Sequence, residues 1–156
     1  MRIHIVAVGR LRAGPERDLI DDYLTRFDRT GRALALGPAQ VIEVEDKKGG
    51  GMNAEAALLS KAIPSGALVC VMDERGKVMT SPAFAEQIGG WRDQGRQDVA
   101  FVIGGADGLD AALRGQADAA LSFGKMVWPH MLVRVMLAEQ LYRAASILAG
   151  SPYHRA

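Results

Sequence analysis

The chain is poor in cysteine, in long apolar runs and in net charge, and each shortage narrows what it can be. Of 156 residues only Cys70 is a cysteine, set inside the apolar run Ala67-Leu68-Val69-Cys70-Val71-Met72, so a reduced core thiol is expected. No apolar stretch reaches the roughly 18 residues of a membrane span. The first residues also lack the pattern of an export signal. A cytoplasmic protein with no membrane partner is expected. Nineteen Lys and Arg against eighteen Asp and Glu leave a formal charge of +1. That excludes a polycation: a nucleic-acid partner has to be held by a local patch or by shape. His4, His130 and His154 have no ligand spacing, so no metal is expected. There is no G-x-S-x-G elbow, no Walker-type phosphate loop and no dinucleotide G-x-G-x-x-G.

What is present is an alternation of strand-like and helix-like segments. Ile3 to Val8 reads as a strand ended by Gly9, and Pro15 to about Arg29 has helical spacing with Leu19, Tyr23, Leu24 and Phe27 on one face. A weaker strand at Val41–Val44 precedes a Lys47-Lys48-Gly49-Gly50-Gly51 loop and a helix capped by Asn53 that reaches Ile63. Ala67–Met72 reads as a central strand. Ser81-Pro82 starts a helix, with Ser81 as its cap, that runs to about Arg92. Asp98–Ile103 is a buried strand, followed by a short helix from Leu109 to Arg114, a strand near Ala119–Phe123 and a final helix from Leu132 to Ala149. Apolar runs without strict alternation imply strands covered on both faces. With helices between them, that predicts an α/β fold with a mostly parallel sheet flanked by helices, in one domain over residues 1–156.

Three strand ends carry candidate chemistry. Gly104-Gly105-Ala106-Asp107-Gly108 follows a strand where open α/β sheets bind ligands; it is either that or a tight turn. Asp73 and Glu74 could hold a ligand hydroxyl, although a solvated turn is favoured. The loop Phe123 to Pro129 mixes glycine, apolar and aromatic residues, which suits a flat amphipathic ligand; Trp128 is either a wall of that cleft or core. On the last helix, at about 100° per residue, Arg134 and Arg143 fall on opposite faces. Arg143 lies four residues after Glu139, the spacing of a surface ion pair. Arg134 shares a face with His130, Leu137, Ala138 and Leu141, so its charge needs a carboxylate, a phosphate or a neighbouring subunit. Gly150 and Pro152 end the helix, which presents Tyr153-His154-Arg155-Ala156 just beyond it. His154 is the best general acid or base, against the plain alternative of a disordered tail.

These segments together resemble a known family. Val6-Ala7-Val8-Gly9, Ile103-Gly104-Gly105-x-x-Gly108-Leu109, Pro129-His130-x-Leu132-Val133-Arg134-Val135, Glu139-Gln140-Leu141-Tyr142-Arg143-Ala144 and Pro152-Tyr153-His154-Arg155 are similar, over the whole chain, to a small ribosomal RNA-modifying branch of the SPOUT (α/β-knot) methyltransferases. The resemblance implies a C-terminal deep trefoil knot, S-adenosyl-L-methionine as cofactor and a homodimer. It implies N3 of a pseudouridine in 23S rRNA, within the 70S ribosome, as acceptor, with neither DNA nor membrane as partner. Carried onto this chain, it assigns the cofactor to Met72, Gly104, Gly105, Phe123, Gly124, Lys125, Met126, Val127 and Trp128. Catalysis falls to Tyr153, His154, Arg155 and Arg134. Members often have Leu at Met72 and Ser at Gly124; the second change removes a possible hydroxyl contact. The rival readings are a SPOUT enzyme acting on another RNA and a non-catalytic ribosome-binding protein.

Overall fold

The computed structural model describes residues 1–155; Ala156 lies outside the described residues. Strand β1 (Arg2–Val8) leads into α1 (Pro15–Gly31), a single 3-10 turn (Arg32–Leu34) and β2 (Ala39–Val44). Helix α2 (Gly51–Ala62), β3 (Leu68–Val78) and α3 (Ser81–Asp93) follow. The chain closes with β4 (Asp98–Ile103), α4 (Ala111–Gln116), β5 (Ala119–Ser122) and α5 (His130–Leu148). The five strands form one sheet in the order β2-β1-β4-β3-β5, and every pairing is parallel.

The apolar runs have the physical meaning expected of them, because alternate residues of one strand serve two cores. Ile3, Ile5 and Ala7 of β1 face a core with Ile20 and Phe27 of α1, Phe84 and Ile88 of α3, and Leu137 and Leu141 of α5. Val6 and Val8 face a smaller core with Leu59 of α2 and Leu113 of α4. A strand covered on both sides cannot alternate apolar with polar. Cys70 is buried in the larger core, and burial pushes its thiol up to about 12. It is a packing residue.

Several local expectations are corrected. The strand through Cys70 is interior as expected, paired to β4 on one side and β5 on the other, while β4 lies at the middle of the sheet. In α1 the inward positions are Ile20, Leu24 and Phe27; Leu19 is 44% exposed, one residue out of phase. Asn53 does not cap α2. That helix starts at Gly51, and the Asp46 carboxylate accepts from the Lys48 and Gly50 N–H groups just before it. Thr80 rather than Ser81 caps α3, accepting from Ala83 N at 3.2 Å. Helix α5 starts two residues earlier than expected, at His130.

Strand β3 is longer than its apolar core predicts. Its register against β5 breaks between Met72 and Lys77. Gly76 makes this possible: a Cβ there would lie 2.7 Å from the Ala120 carbonyl carbon. The close approach joins β3 to β5 beyond the point where the cleft opens.

Candidate active site

The middle of β3, at Met72 to Arg75, and the carboxyl ends of β4 and β5 meet the first turn of α5 around a cleft of about 590 Å³. That is within the usual range for small-molecule sites, roughly 300–1,000 Å³. The nine residues nominated for the cofactor all line it except Lys125. Met72, Ile103, Leu121 and Val133 supply apolar surface, and Gly104, Gly105 and Gly124 bring main chain to the wall. Trp128 is 41% exposed, so the core reading of that residue is wrong: it stands at the cleft. Gly104 has to be glycine, because a Cβ would sit 2.6 Å from the Gly108 carbonyl oxygen across the turn. The turn is closed by Gly108 N–H donating to the Gly105 carbonyl at 3.0 Å.

Polar groups behind the cleft fix its shape. Asp73 is not a solvated turn residue; its side chain is only 6% exposed. It accepts from Arg75 N at 2.8 Å and Arg75 Nε at 2.9 Å, and Arg114 approaches to 3.6 Å. Burial alone would raise its pKa, but the hydrogen bonds and charge of Arg75, with Arg114 beyond, hold it below the ordinary carboxylate value. Glu74 is exposed. The buried Ser122 hydroxyl accepts from Gly124 N–H at 3.0 Å and lies 2.8 Å from the Gly124 carbonyl, which pins the start of the Phe123–Pro129 loop. His130, the first residue of α5, also lines the cleft, and burial together with Arg134 lowers its pKa, favouring the neutral ring. Sequence reasoning gave His130 no site role.

The other nominated residues lie elsewhere. Arg134 is 1% exposed. Its Nη2 donates to the carbonyls of Val8 at 2.8 Å and Gly9 at 2.7 Å, and its Nη1 donates to Glu43 at 2.9 Å. Of the open alternatives for its partner, the carboxylate is the one found. Its guanidinium ties α5 to β1 and β2 instead of facing the cleft. Tyr153, His154 and Arg155 do not line the cleft of their own chain. The tail is ordered against α5, not loose. Tyr153 donates its hydroxyl to Glu139 at 2.9 Å, and its ring lies 4.5 Å from that of Tyr142 and 4.8 Å from the Arg143 guanidinium. Burial, then the bond to Glu139, raise the Tyr153 pKa and keep the phenol protonated.

Arg143 is thus more than the surface pair its spacing suggests. It binds Glu139 through Nε at 3.0 Å and reaches His154 Nδ1 at 3.1 Å through Nη1. Arginine can only donate, so Nδ1 must accept and the ring proton of neutral His154 is placed on Nε2. The i,i+4 spacing of Glu139 and Arg143 was a visible signal. The return of the tail onto them was not.

Comparison with known proteins gives this arrangement a context. The family described as predicted SPOUT methyltransferase matches residues 1–154. The chain belongs to the SPOUT methyltransferase family. The methyltransferase is 77% identical over 155 residues to a protein of Roseobacter denitrificans, and 74% identical over 155 residues to one of Ruegeria sp. (strain TM1040). Each alignment covers 99% of both chains, and both relatives carry the name ribosomal RNA large subunit methyltransferase H. Among solved structures, a probable methylase family protein from Haemophilus influenzae Rd KW20 aligns with a TM-score of 0.52 at 14% identity, over 99% of this chain and 70% of that one. A probable methyltransferase from Bordetella pertussis Tohama I aligns at 0.51 and 14%, over 92% and 96%. At that identity the likeness speaks to the fold of the methyltransferase and no further.

Proposed function

We propose that this methyltransferase uses S-adenosyl-L-methionine to methylate N3 of a pseudouridine in 23S rRNA of the assembled 70S ribosome. In this reading it acts as a cytoplasmic homodimer with a deep trefoil knot in its C-terminal part. The observation that carries the proposal is the cleft between the middle of β3 and the ends of β4 and β5, with a polar tail packed on α5 outside it. The names of the full-length relatives point the same way for the RNA.

The cleft suits the cofactor by its chemistry. Glycine main chain at Gly104, Gly105 and Gly124 offers hydrogen-bonding groups without side-chain bulk. Met72, Leu121 and Trp128 offer apolar faces to a flat base. Bound there, the cofactor supplies an electrophilic methyl group on a sulfonium. The residues of the chain then have two tasks: to orient the acceptor and to ease loss of the N3 proton. His154, with its proton on Nε2, is set to donate to a carbonyl of the acceptor base and stabilise the negative charge left as N3 gives its proton to solvent water and takes the methyl group. Arg143 holds that ring, Tyr153 anchors the tail beside it on Glu139, and Arg155 offers a cation for phosphate. Arg134 supports the site through α5 as a positioning residue.

Glu139 lies six residues beyond Val133, about 9 Å along the helix, so the tail of one chain stops short of its own cleft. Beside that cleft Met126 (73% exposed), Val127 (80%), Met131 and Leu132 form an uncovered apolar face, the kind that a second subunit covers. The proposal therefore has the tail of one subunit serve the cleft of the other. The test is transfer of labelled methyl from S-adenosyl-L-methionine to 70S ribosomes, followed by mapping of the modified nucleoside. Truncation after Gly150 should keep cofactor binding and abolish transfer. A truncated chain that methylates at the full rate would sink the tail's role, and a label found at another nucleotide or on another RNA would sink the substrate.

A further inference from the structure

The sheet edge that holds the cleft also carries, at its other end, cations that no ion pair explains. Strands β1 and β2 run side by side to the same edge, with Val8 paired to Val44 and Gly9 N–H donating to the Val44 carbonyl at 2.8 Å. Arg10 and Arg12 leave β1, and Lys47 and Lys48 leave β2. All four are exposed, and none has an ion-pair partner among the described residues. Of the carboxylates nearby, Glu43 is engaged by Arg134 and Asp46 by main-chain N–H groups. Glu16, Glu45, Glu55 and Asp107 also lie in this region, Glu55 close enough to Asp46 and Asp107 for their charges to raise its pKa, but none of them is paired with the four cations.

The first of these loops is held, and held next to the cleft. Leu11 N–H donates to Glu43 at 2.6 Å, and the same carboxylate oxygen receives Arg134 Nη1. A Cβ on Gly9 would lie 3.6 Å from Arg134 Nη2 and 3.9 Å from His130 Nε2, and His130 lines the cleft. One on Gly105, another cleft residue, would lie 3.3 Å from Val8 Cγ1. The end of β1 thus adjoins the cleft wall on two sides, and the buried arginine fixes where Arg10 and Arg12 begin. A cationic rim kept in register by a buried tie loses little freedom on binding an anion.

We propose that Arg10 and Arg12, with Lys47 and Lys48 behind them, form a docking rim for RNA backbone phosphates flanking the nucleotide that enters the cleft. The inference rests on RNA being the substrate and adds where this chain grips it. Phosphate is the matching chemistry: a chain with a net charge of +1 cannot collect RNA by its overall field, so a local set of unpaired cations has to do so. Cations used in this way position the substrate without reading its sequence.

The test compares Arg10→Gln/Arg12→Gln with Arg29→Gln/Arg32→Gln, which removes two exposed cations from the opposite end of α1. The readouts are KM for 70S ribosomes across a salt series, affinity for S-adenosyl-L-methionine, and filter binding of transcribed 23S rRNA at low salt. The rim variant should raise KM about tenfold at 0.1 M salt and flatten the salt dependence by roughly one unit of slope for each phosphate left without its cation. Its cofactor affinity should stay within about twofold, and the control should match wild type. Equal KM and slope in rim variant and wild type overturn the rim, as does a parallel loss of cofactor affinity. If the defect appears on ribosomes but not on 23S rRNA, the partner is a ribosomal protein and the rim is overturned too. A wild-type enzyme that methylates no ribosome sinks the functional reading instead; co-sedimentation with ribosomes under the same salts then still decides the rim.

Discussion

Near the start of α5, Arg134 is enclosed, with its donors on two main-chain carbonyls and one carboxylate of the sheet. Nine residues on, the side chain of Arg143 is 25% exposed and holds Glu139 and the ring of His154. Both residues are arginines on one helix, and both bind a carboxylate. What differs is where the partners come from. Those of Arg134 lie more than ninety residues away in sequence, on β1 and the edge strand β2. Those of Arg143 lie within eleven residues, on the same helix and the tail that follows it. One end of α5 is built into the sheet; the other carries a polar cluster made within the helix and the tail that follows it.

The largest expected effect breaks the first end. Arg134→Met should take the guanidinium away from the Val8 and Gly9 carbonyls, leave Glu43 with only the Leu11 N–H, and cost about 3–5 kcal/mol in urea unfolding. Lysine should recover little, because a single ammonium cannot reproduce the fork. A loss below about 1 kcal/mol would show that the tie is not structural. At the second end the effect should be kinetic. Arg143→Ala should lower methylation of ribosomes on the order of a hundredfold. Its unfolding free energy should shift by no more than about 1 kcal/mol, with cofactor affinity unchanged. If stability falls as far as for Arg134, the contrast between the two ends collapses.

The smallest effect is a pH response that only the tail end should show. Burial and Glu139 raise the Tyr153 pKa above its unfolded value of about 10. Its contribution is therefore complete below that pH and is lost as pH rises, because the unfolded phenol ionises first. Tyrosine absorbance should show one phenol titrating later than the others, and Tyr153→Phe should remove that late step. A late step that persists in the variant would assign it to another tyrosine.

Much of the first region was legible because it follows from periodicity and burial. The run from Ile3 to Val8 declared a strand covered on both sides, and Arg134 declared a buried charge in need of a partner. Glu43 could not be named, since nothing local sets which strand lies next to β1. The cap of α3 slipped by one residue, from Ser81 to Thr80. The cleft was legible through its glycines and through the resemblance of its motifs. Asp73 was misjudged because acidic residues after a strand are ordinarily solvated, and only Arg75 and Arg114 make its burial tolerable. The tail was read as chemistry with no account of what holds it.

The parallel α/β class, the buried thiol, the glycine-bearing strand ends and the family are legible along the chain alone. They depend on residue spacing, on backbone freedom and on motifs that stay intact when read in one dimension. The strand order β2-β1-β4-β3-β5, the Arg134–Glu43 tie, the burial of Asp73 and the seat of the tail on Glu139 and Arg143 emerge only in the folded chain. Each of these joins groups whose partners are chosen by packing and by the need to satisfy buried charge. That choice exists only once the chain has closed on itself.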